Sequence, residues 1–354
     1  MKALVLAGGR GTRLRPITYV IPKQLIPIAN KPILHYVMDQ LKEANITDVG
    51  IIIAPETGKQ IVDSLKYNPW KHKFTFILQK EPLGIAHAIK LAKNYLKENP
   101  FITYLGDNLI ETSISTFLEI FNERKPDALI FLKEVPNPQS FGVVVMDKEG
   151  KIAKLIEKPQ KPPSNLALVG VYIFTPSIYD IIDDLKPSWR GEYEITDAIQ
   201  KLLDNGKIVI AHKLKGWWLD TGKKDDLLEA NTLVLDKYIK LSINGKICVN
   251  TKVSGRVEIG KDTTVTNSII KGPSIIGKGS IIKNSYIGSY TSIGNNVKII
   301  DSVIQNSVIL DYAEIINVDR LEDSLVGKNA KVYKKEGSYR AYRVSIGDYS
   351  EVEI

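Results

Sequence analysis

The C-terminal part of the chain carries an apolar repeat with a period of six residues, and this repeat restricts the possible folds most. From Asn244 onward the composition shifts to Ile, Val, Gly, Ser, Asn and Lys, with very few aromatic residues. The repeating positions are Ile275, Ile281, Ile287, Ile293 and Ile299, preceded by Val253, Ile259 and Val265. This period is typical of a parallel β-helix, in which inward residues of successive coils stack. Register slips near Ile270 and Val303 predict loops or bulges.

The N-terminal part begins with a different pattern, a short apolar run that ends at a glycine-rich turn. Ala3 to Ala7 show no polar alternation, which is typical of a buried parallel strand. Gly8, Gly9 and Gly11 then remove side chains that would keep a polyphosphate away from backbone N–H groups. Cations follow at Arg10, Arg13, Arg15 and Lys23. The spacing fits neither a P-loop nor the dinucleotide-binding fingerprint.

Strands alternate with helices of about a dozen residues up to Leu105, which predicts βαβ units and a Rossmann-like, mostly parallel sheet. We expect a helix that opens at Lys31-Pro32 and another from Gly84 to Leu96. From Asp127 onward, short strands separated by Pro and Gly predict a β-rich insertion. A chain of 354 residues is long for one core. We predict two domains, at 1–240 and 245–354, of which the second is a parallel β-helix.

The composition narrows the possible partners. The net charge is +8, but Lys and Arg are interleaved with Asp and Glu, so no basic block indicates nucleic-acid binding. A basic balance also suits substrates that carry phosphates. The single cysteine, Cys248, cannot form an internal disulfide, and no apolar run resembles a signal peptide or a membrane span. We expect a cytoplasmic protein without nucleic-acid or membrane partners.

Two aspartates follow predicted strands that are far apart in the sequence. Asp107 comes after the apolar run 101–105 and Gly106, and Asp220 lies in the run 216–222. Ligands bind at the carboxyl ends of strands in such sheets, and Mg²⁺ prefers carboxylate oxygens. An aspartate in a turn is also common for local reasons. Because there are two such positions, we predict that Asp107 and Asp220 bind Mg²⁺.

The motifs resemble the signature of the sugar-1-phosphate nucleotidyltransferases. That signature is Gly-Gly-x-Gly-Thr-Arg-Leu-x-Pro-x-Thr, then Pro-Lys-x-Leu-x-Pro, then Lys-Pro, and later Gly-x-Trp-x-Asp-x-Gly. It matches residues 8–18, 22–27, 31–32 and 216–222. The C-terminal repeat resembles the left-handed hexapeptide coil of the long-form thymidylyltransferases in this family, and the resemblance implies that the domain at 1–240 is catalytic. The resemblance covers nearly the whole chain and implies that dTTP and glucose 1-phosphate are joined to give dTDP-glucose and pyrophosphate.

The resemblance also implies site residues. Those for the nucleotide are Leu6, Gly8, Gly9, Gly11, Thr12, Arg13, Lys23, Gln24, Gln79, Gly84 and Asp107. Among them, Gln24, Gln79 and Gly84 are expected to contact the base. Those for the sugar phosphate are Asn108, Gly142, Glu157, Lys158, Val169, Tyr172 and Arg190. Arg13, Lys23 and Lys158 are the implied catalytic residues. The segment from Gln79 also contains His87, to which we assign no role.

Two alternatives remain open at this point. The base could be uracil, or the preference mixed, because a glutamine amide does not sense the thymine methyl. A non-catalytic subunit of the same fold is the second alternative, although Arg13, Lys23, Asp107, Lys158 and Asp220 are all present. Some relatives use the coil for acetyl transfer with a histidine base, but all four histidines precede the coil, so we expect no such activity. We expect a homo-oligomer, either a trimer or a tetramer.

Overall fold

The computed structural model describes residues 1–334 and 349–353. Contacts between residues divide the chain into two compact units. The first unit comprises Met1–Arg10, Ile21–Leu25 and Ile33–Asp220. The second unit comprises Gly11–Val20, Ile26–Pro32 and Thr221–Ile354. Among the described residues, no helix combines the length and the apolar character needed to span a membrane.

The elements before the repeat are as follows. The helices are α1 (Ile33–Glu43), α2 (Gly58–Leu65), α3 (Ile85–Leu91), α4 (Lys93–Leu96), α5 (Ile114–Arg124), α6 (Ile178–Asp183), α7 (Ile195–Asp204) and α8 (Lys224–Tyr238). The strands are β1 (Lys2–Leu6), β2 (Pro27–Ile28), β3 (Lys31–Pro32), β4 (Asp48–Ile53), β5 (Lys73–Leu78), β6 (Phe101–Leu105), β7 (Asn108–Ile110), β8 (Ala128–Glu134), β9 (Gly142–Met146), β10 (Ile152–Glu157), β11 (Leu166–Phe174), β12 (Val209–Lys213) and β13 (Trp218–Asp220).

The main sheet of the first unit has the order β10-β9-β11-β6-β1-β4-β5, with β8 and β12 joined through β11. Strands β6, β1, β4 and β5 are parallel, whereas β11 and β9 run antiparallel to their neighbours. This mixed sheet confirms the predicted Rossmann-like class. Leu6 and Leu105 are register partners at the ends of β1 and β6. The Gly8 turn and Asp107 therefore leave the sheet at the same edge.

Strand β1 is buried on both faces of the sheet. Ala3 and Val5 pack in one apolar cluster with α1, and Leu4 packs in the other with α3. This double burial explains why the run shows no polar alternation. A second, two-stranded sheet pairs β13 antiparallel with β7. Asp220 lies directly opposite Asn108 in this ladder.

Two predicted helices differ from the structure. The first begins at Ile33 rather than Lys31, because Pro32 lies in β3 and pairs with Pro27 of β2. The predicted helix from Gly84 to Leu96 is divided into α3 and α4 at Ala92. The amide of Ala92 is bonded to the carbonyls of both Ala88 and Ile89, so the helix tightens at this point.

The second unit contains the repeat, which forms a left-handed parallel β-helix as predicted. Its strands are β14 (Ser242–Ile243), β15 (Lys246–Ile247), β16 (Lys252–Ser254), β17 (Val257–Ile259), β18 (Thr264–Thr266), β19 (Ile269–Lys271), β20 (Ser274–Ile276), β21 (Ile281–Lys283), β22 (Tyr286–Ile287), β23 (Thr291–Ile293), β24 (Lys298–Ile300), β25 (Val303–Gln305), β26 (Val308–Ile309), β27 (Glu314–Ile316), β28 (Leu321–Glu322), β29 (Leu325–Val326) and β30 (Lys331–Tyr333). Every third strand pairs in parallel, which gives three sheets.

The inward positions of the coil differ in part from the predicted series. Ile287, Ile293 and Ile299 are buried as expected, but Ile281 is 49% exposed and its neighbour Ile282 is buried instead. The reason is the length of a coil. Side chains that stack between coils, such as Asn267 and Asn284, are 17 positions apart. One of the three faces is therefore a residue shorter than the others, and a strict period of six drifts out of register.

Candidate active site

The Gly8-Gly9 turn follows β1 and is packed by two side chains from the segment after the glycine loop. A Cβ atom built on Gly9 would lie 2.9 Å from Cε of Lys23 and 3.4 Å from Nε2 of Gln24. The carbonyl of Leu6 accepts a hydrogen bond of 2.9 Å from the amide of Gly106. The missing side chain thus allows Lys23 and Gln24 to approach the backbone, and the turn is fixed beside Asp107.

Lys23 and Asp107 form an ion pair at this edge of the sheet. Asp107 is only 5% exposed. Its Oδ1 also accepts a hydrogen bond of 3.3 Å from Nδ2 of Asn108. Oδ1 of Asn108 in turn accepts a bond of 2.7 Å from the indole of Trp218. Asn108, predicted to bind the sugar, therefore connects the carboxylate of Asp107 to β13.

Asp220 ends β13 and lies opposite Asn108, so it is one residue away from facing Asp107. Partners in an antiparallel ladder have Cα atoms about 5 Å apart, which brings the two aspartates into one neighbourhood. Within residues 1–334 and 349–353, no group of three or more His, Cys, Asp or Glu side chains could hold a metal. Two carboxylates nevertheless suit a hard divalent cation that takes its remaining ligands from phosphates and water.

Two glutamines lie near the turn. Gln24 is 1% exposed, and its Oε1 is buried without a hydrogen-bond partner in the structure. Oε1 of Gln79 lies 3.7 Å from a Cβ built on Gly8. Nε2 of Gln79 lies 3.2 Å from the carbonyl of Gly84 and 3.0 Å from Nδ1 of His87. Gln79 thus has its amide oxygen on the side of Gly8, whereas Gln24 approaches Gly9 with its Nε2 and keeps its oxygen buried.

Gly84 lies where two segments of the chain cross. Its φ is +96°, and a Cβ atom there would lie 2.6 Å from the carbonyl oxygen of Tyr193. The amide of Tyr193 donates to Leu83 at 2.8 Å, and the amide of Ala86 donates to Tyr193 at 3.2 Å. Both the positive φ and the close approach require glycine. These two hydrogen bonds connect the segment that follows Gln79 to the residues that precede α7.

Glu157 ends β10 and is the register partner of Gly142 on β9. Its Oε2 accepts a hydrogen bond of 3.2 Å from Thr196, and it would lie 3.2 Å from a Cβ built on Gly142. Burial and the nearby charge of Glu194 raise the pKa of Glu157, while Lys158 and Arg190 act in the opposite direction. The structure thus brings these predicted sugar-site residues together.

Arg190 is surrounded by three glutamates. Its guanidinium lies 3.5 Å from Glu157, 2.8 Å from Glu192 and 3.1 Å from Glu194. The family resemblance predicts that Arg190 binds the sugar phosphate, but it does not single out Glu192 or Glu194. The alternating Glu-x-Glu after Arg190 was the signal that could have identified them. In this structure Arg190 is held against Glu157 by these carboxylates.

The other predicted sugar-site residues occupy different surroundings. Lys158 has a φ of +39°, and its Nζ lies 3.7 Å from Glu157. Val169 and Tyr172 on β11 are core residues with exposures of 0% and 3%. Burial, followed by the charges of Glu157 and Asp220, raises the pKa of Tyr172. Tyr172 therefore lies within the field of both carboxylates.

Three predicted nucleotide residues belong to the second unit, namely Gly11, Thr12 and Arg13. Gly11 has a φ of +61° and precedes the short 3₁₀ turn Thr12–Leu14. Its carbonyl accepts a hydrogen bond of 2.7 Å from the hydroxyl of Thr18. This hydrogen bond and the 3₁₀ turn give the glycine loop a defined local conformation.

Comparison with known proteins agrees with these motifs. The family model described as nucleotidyl transferase matches residues 2–237. A glucose-1-phosphate thymidylyltransferase of Streptomyces antibioticus is 46% identical over 358 residues, covering 100% of this chain and 99% of the relative. The low-salt glycan biosynthesis nucleotidyltransferase Agl11 of Haloferax volcanii is 42% identical over 359 residues, with full coverage of both chains.

A solved structure of UDP-glucose pyrophosphorylase complexed with UDP-glucose is also similar. It is 29% identical, with a TM-score of 0.61, and the match covers 67% of this chain and 99% of that one. The family match extends over more than half of the chain, and the relatives are similar over its full length. The chain therefore belongs to the nucleotidyl transferase family.

Proposed function

We propose that this chain joins dTTP and glucose 1-phosphate to give dTDP-glucose and pyrophosphate. The observation that carries the proposal is the ion pair of Lys23 with Asp107 beside the Gly8-Gly9 turn, with Asp220 close by in the ladder of β13 and β7. The similarity to the Streptomyces antibioticus thymidylyltransferase over the whole chain supports the choice of substrates.

In this reaction an oxygen of the sugar phosphate attacks the α-phosphorus of the nucleotide in line. The new P–O bond forms while the bond to the β-phosphate breaks, and pyrophosphate leaves with that electron pair. Because the attacking oxygen is already anionic, no general base is required. Catalysis then depends on placing the two phosphates and neutralising their charge.

The residues divide this work by charge and position. Amides of the turn at Gly8, Gly9 and Gly11 hold the triphosphate, and Arg13 neutralises the departing pyrophosphate. Lys23 stabilises the charge that develops at the α-phosphate. Lys158 and Arg190 receive the sugar phosphate, and Glu157 accepts hydrogen bonds from sugar hydroxyls. The contacts of Arg190 with three glutamates suggest that it also orients Glu157.

Nucleotidyltransferases of this kind generally use a divalent metal. We propose Mg²⁺, held by the carboxylates of Asp107 and Asp220. When bound, it supplies positive charge to phosphate oxygens. Lys23 contacts Asp107, so the ammonium helps to hold this carboxylate in place.

Uridylyl transfer is the second candidate, and the similarity to UDP-glucose pyrophosphorylase favours keeping it. The amides of Gln24 and Gln79 have no group that would sense the thymine methyl.

We further propose functional domains at 1–240 and 245–354, a cytoplasmic location and a homo-oligomeric assembly. Light scattering of the purified chain tests the assembly.

A nucleotide panel tests the proposed function. Purified chain, Mg²⁺ and glucose 1-phosphate are mixed with dTTP, UTP, dGTP or dATP, and pyrophosphate release is followed. We expect turnover with dTTP, with UTP as the next best nucleotide. The Asp107→Asn variant serves as the inactive control, and Asp63→Asn serves as the surface control because Asp63 pairs with the exposed Lys66. Release with purines alone would contradict the proposal.

A further inference from the structure

We infer that His87 positions the amide of Gln79 and thereby decides which bases the nucleotide site accepts. The inference deepens the proposed function and rests on it. Neither the motifs nor the similarity to known relatives gives His87 a role. The class of base that it selects is a pyrimidine that presents an N–H donor at N3.

The Gln79 amide has a defined orientation in the structure. One end of this amide lies 3.2 Å from the carbonyl oxygen of Gly84. A carbonyl oxygen can only accept a hydrogen bond, so the amide must present its NH₂ group there. The oxygen Oε1 then points to the other side, where a Cβ on Gly8 would lie 3.7 Å away.

The hydrogen bond to Gln79 determines the tautomer of His87. The second N–H of Gln79 points at Nδ1 of His87, at 3.0 Å. Nδ1 can accept this bond only if it carries no proton, so the neutral ring has its proton on Nε2. Burial, and then the charge of Lys90, lower the pKa of His87, whereas Glu81 acts in the opposite direction. The lowered pKa favours the neutral ring that this bond requires.

The imidazole of His87 packs against Tyr193. The ring of His87 stacks on Tyr193 with centroids 6.0 Å apart and planes inclined by 25°. The backbone of Tyr193 is bonded to both Leu83 and Ala86. His87 therefore has a defined orientation, from which Nδ1 accepts the second N–H of Gln79 at 3.0 Å.

These contacts determine which group Gln79 offers to the base. With both N–H groups engaged, Gln79 offers only Oε1 to a base. An acceptor oxygen matches the N3–H of thymine or uracil, whereas N3 of cytosine carries a lone pair and would face it unfavourably. A site whose polar groups would be left unpaired rejects the wrong ligand strongly. This selection does not depend on the methyl at C5, so it admits both dTTP and UTP.

Two variants separate this role from packing. His87→Phe keeps an aromatic ring for Tyr193 but has no acceptor, and His87→Asn places an acceptor oxygen near the position of Nδ1 without a ring. Steady-state kinetics with dTTP, UTP, dCTP and CTP give KM and kcat for the full chain. For His87→Phe we expect an about fivefold higher KM for dTTP, kcat within about twofold, and an about tenfold loss of preference for dTTP over dCTP.

We expect His87→Asn to retain most of the wild-type preference. Wild-type behaviour of His87→Phe together with an impaired His87→Asn would overturn the inference, because stacking alone would then matter. The tautomer of His87 provides a second measurement that needs no variant to be active. Long-range ¹⁵N–¹H NMR of the labelled wild-type chain should show the Nε2–H tautomer, and an Nδ1–H tautomer would overturn the inference. A wild-type chain inactive with all four nucleotides would instead refute the proposed function, while the tautomer still tests the bond to Gln79.

Discussion

The ammonium of Lys23 contacts the carboxylate of Asp107, although the two residues are 84 positions apart in the chain. Lys23 belongs to a short 3₁₀ turn, and Asp107 follows β6. Both side chains are largely shielded from water, so their charges interact more strongly than charges at the surface. This pair joins the glycine turn to the carboxylate predicted to bind the metal.

Replacing Lys23 tests the role of its charge. Lys23→Met keeps the aliphatic stem but removes the ammonium, so the transition state loses a charge-stabilising contact. We expect kcat to fall by about 100- to 1,000-fold, or about 3–4 kcal/mol of barrier. Steady-state pyrophosphate release measures the change. The control is Lys66→Met, because the side chain of Lys66 is 72% exposed. Equal rates for the two variants would contradict the assignment.

Adding a methyl group to Gly9 tests the geometry of the turn. The Cβ of Gly9→Ala would lie 2.9 Å from Cε of Lys23 and would push this side chain away from Asp107. We expect kcat to fall by about tenfold or more, because small displacements of catalytic groups are costly. Gly327→Ala is the matched control, since a Cβ there has no neighbour within 4 Å. Unchanged kinetics of Gly9→Ala would show that the approach of Lys23 does not matter.

Glu157 gives a prediction about pH. Burial and Glu194 raise the pKa of Glu157, so this carboxylate becomes protonated at a higher pH than usual. The KM for glucose 1-phosphate should therefore rise as the pH falls through that raised pKa. Glu194→Gln removes the repelling charge, and the rise should begin at a lower pH. Comparing the two proteins at each pH cancels the titration of the substrate, and the exposed Glu149→Gln is the control. Coincident profiles would rule out this coupling.

Asn231 gives a prediction about stability in the second unit. It is 1% exposed, accepts hydrogen bonds from Ala29 at 3.0 Å and Ser292 at 2.6 Å, and donates to Tyr290 at 2.9 Å. Asn231→Leu leaves these buried partners without their bonds, which should lower the free energy of unfolding by about 2–4 kcal/mol. Urea unfolding followed by circular dichroism measures the change. An equal loss in Asn94→Leu, on the exposed side of α4, would contradict the prediction.

Much of the fold was predictable because its patterns are periodic. The uninterrupted apolar run of β1 predicted a doubly buried strand, and the isoleucine series predicted stacked coils. The drift at Ile281 was not predictable from that series, because the shorter third face shifts the inward position by one residue. Pro32 was misplaced because proline suits both the first turn of a helix and the end of a short strand.

The sequence predicts candidate site residues only where motifs place charges beside glycines. Asp107 and Asp220 are far apart in sequence, and their proximity depends on the pairing of β13 with β7. The contact of Arg190 with Glu157, 33 positions away, depends on tertiary structure, whereas its contacts with Glu192 and Glu194 are local in the sequence. His87 had no role in the sequence because its partner is a side-chain amide whose orientation only the structure defines.

The most direct test is to detect both products of the reaction. Wild-type chain, dTTP, glucose 1-phosphate and Mg²⁺ are incubated, and the mixture is separated by anion-exchange chromatography. The proposed reaction predicts dTDP-glucose and pyrophosphate in equal amounts, with neither formed by Asp107→Asn or without the metal. Hydrolysis of dTTP without dTDP-glucose, or no consumption of any nucleotide and sugar phosphate, would contradict it.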